Sequence, residues 1–195
     1  MKKTALLLLT ILLFNSCNSD NETEPEINTI CDNTYSEFQT IFSNLIADSY
    51  INVVTMDHLT HEYTFKVSSQ KEVCELGYQS YPEIEIKPYL IEIYDNTNSR
   101  LIYNDEHIFS SDSTSYAMPS ETITLQPNIS YTISRTQNNW NSNIVNVIGR
   151  MAYKTTMEFP YSVGDLTITS SNFHSGDFGS LPNNALPFID IIFTE

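Results

Sequence analysis

Several short stretches carry side chains able to do chemistry. "DHLTHE" holds Asp57, His58, His61 and Glu62. Histidines at i and i+3 share a helix face and can ligate zinc. This stretch instead runs into an alternating segment, and in a strand i and i+3 point to opposite faces. No HExxH pattern accompanies them, so they read as exposed or turn histidines and no metal ligand is assigned. Glu83 and Glu85 in "EIEIK" fall on one strand face about 7 Å apart, a spacing compatible with paired-carboxylate glycoside hydrolysis. Ile84 and Ile86 on the opposite face would point inward and leave the glutamates to water. "HSGDFGS", His174 to Ser180, contains His, Asp and Ser, but adjacency in sequence is not triad geometry. GxSxG and a phosphate-cradling glycine loop are both absent. No catalytic residue is assigned, and the chain reads as non-enzymatic.

Two polar clusters suggest binding rather than catalysis. Asp95, Asn96 and Asn98 in "DNTNS" offer oxygen ligands of the kind calcium takes, as do Asp105 and Glu106, without EF-hand spacing. Ordinary turn polarity accounts for the same residues, so a structural calcium is the one cofactor the sequence raises. The second cluster is "TQNNWNSN", where Trp140, the only tryptophan, is flanked by Asn138, Asn139, Asn141 and Asn143. An exposed ring can stack on the apolar C–H face of a sugar while amides bond its hydroxyls. A tryptophan folded back over the end of the core is the other reading of these residues.

The elements that must position these groups are mostly strands. "TYSEFQTIFSNLIADSY" places Tyr35, Phe38, Ile41, Phe42 and Leu45 at helical spacing, with Thr34 or Ser36 as N-cap. From Glu62 the period becomes two. Tyr63, Phe65 and Val67 alternate with polar neighbours, as do Ile84 and Ile86, and Tyr89, Ile91 and Ile93. Ile129, Tyr131 and Ile133, then Leu166 and Ile168, then Ile189, Ile191 and Phe193 complete the series. "DNTNS", "QPN", "PYSVGD" and "LPNNALP" punctuate the runs with turn chemistry. Short alternating strands at even spacing, with no βαβ pattern, predict an all-β fold: a single antiparallel β-sandwich over residues 31–195 with one short N-terminal helix.

The first thirty residues have a different character. Lys2 and Lys3 precede an apolar run, Ala5 to Phe14, too short to span a ~30 Å hydrocarbon core as a stable helix. This is the pattern of a cleaved secretory signal, assigned to residues 1–16. Residues 17–30 are polar and acidic, without aromatics, and read as a flexible tether reaching on the order of 45 Å. Removing residues 1–16 takes two lysines and no acid, so the formal charge moves from -15 to -17. So acidic a chain does not seek nucleic acid by charge.

Phe14-Asn15-Ser16-Cys17 resembles a bacterial lipoprotein box in its Bacteroidota form, with Ser16 as the small residue before the cysteine. The resemblance implies multiple acylation of Cys17 and a chain anchored in, not spanning, the membrane. The tether, with Asp20, Glu22, Glu24 and Glu26, is similar to the acidic export signal of that group. It implies an outer-membrane lipoprotein facing outward, with a periplasm-facing one as the alternative. Cys31 and Cys74 then remain, as a disulfide worth ~4 kcal/mol in the chain-entropy model or as two separate thiols.

"YLIEIYDNTNSRLIYNDEHIF…ETITLQPNISYTISR" is similar to the middle of secreted jelly-roll or immunoglobulin-like domains. "GDLTITSSNF…LPFIDIIF" is similar to the end of Bacteroidota surface lipoproteins. Together these cover about two-thirds of the chain. They imply a sandwich fold; function must be argued from the site. The expected role is non-enzymatic binding, of a glycan or another surface component, at loops on one end of the sandwich. The alternatives are a structural or assembly role contacting an envelope protein and, third, a hydrolase.

Overall fold

A computed structural model describes residues 31–54, 58–84, 86–142 and 149–195. The signal segment, Cys17 and the tether lie outside the described residues, as do Asp57, Glu85 and Asn143. In chain order the elements are α1 (Glu37–Ala47), β1 (Ile51–Val54), β2 (Thr60–Val67), β3 (Lys71–Tyr78), β4 (Tyr89–Asp95), β5 (Arg100–His107) and β6 (Ser115–Ala117). There follow β7 (Ile123–Leu125), β8 (Tyr131–Gln137), β9 (Arg150–Tyr153), β10 (Tyr161–Val163), β11 (Leu166–His174), β12 (Ala185–Pro187) and β13 (Asp190–Phe193). The fold is all-β and sandwich-like with one short helix, as the period-two pattern predicts.

Six strands form the main sheet in the order β10-β11-β2-β8-β4-β5, every neighbouring pair antiparallel. Tyr63, Phe65, Tyr89, Ile91, Ile93, Tyr131 and Ile133 point to one face of it and are buried. They meet Val73, Leu76 and Ile191 from the sheet β13-β3-β6 in one continuous core. A third sheet, β1-β9-β12, adds Ala152 and Leu186.

The helix locks these layers together. Phe38, Ile41, Phe42 and Leu45 recur at i, i+3, i+4 and i+7 and are its buried face. Tyr35, also at helical spacing, precedes the helix and is 75% exposed. Ser36 is the N-cap; its hydroxyl accepts from the Gln39 amide at 2.9 Å and donates to Asp190 Oδ1 at 2.7 Å. Asp190 also accepts from Gln39 Nε2 and the Tyr116 hydroxyl. Burial pushes its carboxyl up, against the pull of those donors. Gly77 is Asp190's register partner, and a Cβ there would meet the Tyr116 ring at 2.5 Å, so only glycine permits this approach. A disulfide joins Cys31 to Cys74 on β3, with a Cα separation of 5.9 Å, and ties the chain ahead of α1 to the sheet.

One expected strand is absent. Among the described residues around "EIEIK", Pro82–Ile84 form a 3-10 turn, with Ile84 buried and Ile86 79% exposed. Pro82 and Pro88 bracket the stretch and cannot donate to a ladder, which disfavours a strand despite the alternation.

Candidate functional site

The face of the main sheet opposite the core is polar and carries a groove of about 340 Å³ lined by Glu62, Glu92, Tyr94, Asn96, Thr132 and Ser134, with Leu101 at its edge. Its geometry follows from register. Glu62 on β2 and Glu92 on β4 are both paired with Ser134 on the intervening β8. Asn172 and Asn104 extend the same row on β11 and β5. The glutamate Cα atoms therefore sit two strand spacings apart, roughly 9.6 Å, with a short serine between them.

The rows on either side are closed by hydrogen bonds within the protein. Thr60 bonds Thr136 at 2.9 Å, and Thr64 bonds Thr132 at 3.1 Å. Asn96 Nδ2 donates to Thr132 Oγ1 at 2.9 Å. The middle row differs. Glu62 Oε1 lies 2.9 Å from His174 Nε2. Ser134 Oγ and the Glu92 carboxylate have no side-chain partner among the described residues. Ser134 is only 8% exposed and Glu92 is partly buried. Both line the groove, so they present acceptors and a donor to whatever fills it. Tyr94, 38% exposed, stands one row on beside Leu101 and supplies an aromatic face. The arrangement can hydrogen-bond hydroxyls along one line and stack an apolar ring face beside it.

The asparagine-flanked tryptophan lies elsewhere, at the end of β8. Asn138, Asn139, Trp140, Asn141 and Ser142 line a pocket of about 320 Å³ with Asp177. The structure brings the four sequence-predicted residues together there but turns the ring inward: Trp140 is 6% exposed, in a 3-10 turn. Of the two readings, the burial fits the tryptophan folded back over the end of the core, with Leu59 and Gly176, distant in sequence, beside the ring. Asn138 Nδ2 donates to Glu106 Oε1 at 2.5 Å.

Beneath this end the histidines of "DHLTHE" occupy positions the sequence does not predict. His58 precedes β2, and its ring centroid lies 6.4 Å from that of His61; both rings contact Phe173. His61 is wholly buried, a correction to its reading as an exposed or turn residue. His58 bonds Ser175. Burial lowers its pKa, and the Arg135 and His174 charges act in the same direction.

At "DNTNS" both oxygens of Asp95 are engaged by Asn98, from its backbone amide at 2.9 Å and its side chain at 2.8 Å. Burial raises the Asp95 pKa, but these bonds outweigh it and the net shift is downward. The Asn96 amide is turned to Thr132. Asp95, Asn96 and Asn98 thus close the β4–β5 turn on itself. Among the described residues no group of three His, Cys, Asp or Glu converges to hold a metal.

Sequence reading missed Glu92, Ser134, Tyr94 and Thr132 as neighbours. Each is the polar or outward member of an alternating strand, which is visible, but their juxtaposition depends on pairing between residues far apart in sequence. No protein-family model matches the chain, and no curated protein matches its sequence significantly.

Proposed function

We propose that this chain is a non-catalytic saccharide-binding lipoprotein that takes its ligand on the open face of the main sheet. It is held by acyl chains on Cys17 at the outer membrane and faces outward. The observation that carries the reading is the middle row, where Ser134 and Glu92 line the groove with no side-chain partner among the described residues, beside the exposed Tyr94 ring. Hydroxyls, carboxylates and an aromatic face in one shallow groove are the complement of a polyol ring. The alternative of partner assembly through a strand edge has β10 and β5 as the edges of the main sheet; β10 is only three residues long, and on β5 Asp105 and Glu106 put charge that opposes strand addition.

A glycan array probed with the full-length chain tests the reading. Tyr94→Ala should weaken oligosaccharide binding about tenfold, the scale of one aromatic contact of ~1.4 kcal/mol. Trp140→Ala should leave affinity within about twofold wherever the protein stays folded. The reverse pattern would move the site to the Trp140 pocket.

The anchor has its own test. Cys17→Ser should shift the protein from the membrane to the soluble fraction, and continued membrane retention would sink the lipid assignment. External protease on intact cells should remove the domain; full protection would place it in the periplasm.

A further inference from the structure

We infer that the groove selects a saccharide bearing a free, protonated amine, a de-N-acetylated amino sugar, with its ammonium seated at the Glu92–Ser134–Glu62 row; this rests on the saccharide reading above. The first observation is charge. Glu62 and Glu92 both face the groove, and Glu106 lies on the same outer face one strand further out. Lys66 is the lysine on this outward face, two rows beyond the glutamate row and next to Val67 at the end of β2. No lysine or arginine lines the groove itself. His174 pairs with Glu62 and does not reach Glu92.

The second observation is independent of charge. Ser134 is more than nine-tenths buried, its hydroxyl opens into the groove between the two glutamates, and no described side chain bonds it. A hydroxyl in that position can accept from an ammonium that also donates to a carboxylate. An ammonium carries three donors and no acceptor, which matches a site offering two carboxylates and one hydroxyl. An N-acetyl group removes the charge and adds bulk where the serine leaves little depth. An anionic sugar, carrying a uronate or a sulfate, would place like charge against Glu92, and the formal charge of -15 on the whole chain opposes it at longer range.

Binding is measured with the full-length chain and four probes: a fully deacetylated glucosamine tetramer, its N-acetylated counterpart, a neutral glucose tetramer and spermidine. The deacetylated tetramer should bind at least tenfold more tightly than the other two tetramers and lose most of that margin between 50 and 500 mM salt, as a screened ion pair does (on the order of a 10 Å Debye length at 0.1 M). Glu92→Gln, an isosteric change, should abolish the margin of the deacetylated over the neutral tetramer while leaving the melting temperature unchanged. Glu62→Gln should reduce it less, because one oxygen of the Glu62 carboxylate already lies 2.9 Å from His174 Nε2. Equal binding of all three tetramers, unaffected by Glu92→Gln, would overturn the amine selectivity and leave the saccharide reading standing. Spermidine binding as tightly as the deacetylated tetramer would overturn it in favour of a simple amine site. No binding of any tetramer would overturn both.

Discussion

Phe38→Ala should lower the stability of the fold by about 4 kcal/mol and its melting temperature by roughly 10 °C. Phe38 is fully buried where the helix meets both layers of the sandwich. Its ring stacks on Tyr63 of the main sheet at 5.3 Å and meets Phe188 edge-on at 5.3 Å, with Phe42 one turn away at 6.2 Å. Truncation removes the transfer energy of a phenyl ring and leaves a cavity whose walls belong to three different elements, so no single one can collapse into it. Phe38→Leu retains aliphatic bulk and forfeits mainly the ring pairs, worth ~0.5–1.5 kcal/mol each, and should cost clearly less. Urea unfolding should show a lower midpoint at unchanged m. A loss below about 1.5 kcal/mol for the alanine variant would mean that the helix docks loosely and does not hold the layers together.

The helix is also the element whose reading from sequence was most complete. Its apolar spacing, its Ser36 cap and its buried face all follow from local periodicity, and local pattern suffices because every determining contact within a helix lies four residues away. The strands β2, β4, β8 and β11 are legible for a similar reason, since alternation fixes which side of each strand is inward. The turns carry their own signals: Ser99, Asn128, Gly164 and Asn183, one in each of the four punctuating stretches, adopt positive φ. What alternation does not contain is register. Glu62, Glu92 and Ser134 are separated by thirty residues or more in sequence, and their alignment in one row depends on two antiparallel pairings that close long loops. Burial at strand ends is hidden in the same way. Trp140 has only polar neighbours in sequence, yet Leu59 and Gly176 cover it.

Arg135 extends that point into energetics and carries the second large effect: His61→Leu should cost about 3–5 kcal/mol, whereas Arg135→Met should leave stability within about 1 kcal/mol of the parent or raise it. Arg135 follows Ile133 on the inward side of β8 and is wholly buried. Its guanidinium lies 5.1 Å from the Tyr78 ring centroid and 5.3 Å from that of Tyr89. No carboxylate pairs with it among the described residues. The phenols do not compensate either, since burial holds the Tyr78 pKa far above its ordinary value even beside the positive charge. The short contact is from Nη2 to His61 Nδ1 at 2.5 Å, backed by a longer one from Nη1 to the Leu59 carbonyl at 3.4 Å. A guanidinium can only donate, so Nδ1 accepts and the proton of the neutral imidazole sits on Nε2. Removing the imidazole strands a charge that cannot be neutralised by proton loss, which is the costly way to break a buried polar pair. Removing the charge instead leaves an imidazole nitrogen unmet, a smaller penalty offset by an apolar side chain of similar length. The double variant separates this account from simple loss of packing against Phe173, which His61 contacts at 4.9 Å. In the Arg135→Met background His61→Leu should cost less than about 1.5 kcal/mol, a coupling of about 1.5 kcal/mol or more. An equal cost in both backgrounds would assign the role of His61 to packing and leave the buried guanidinium held by the tyrosines and the Leu59 carbonyl.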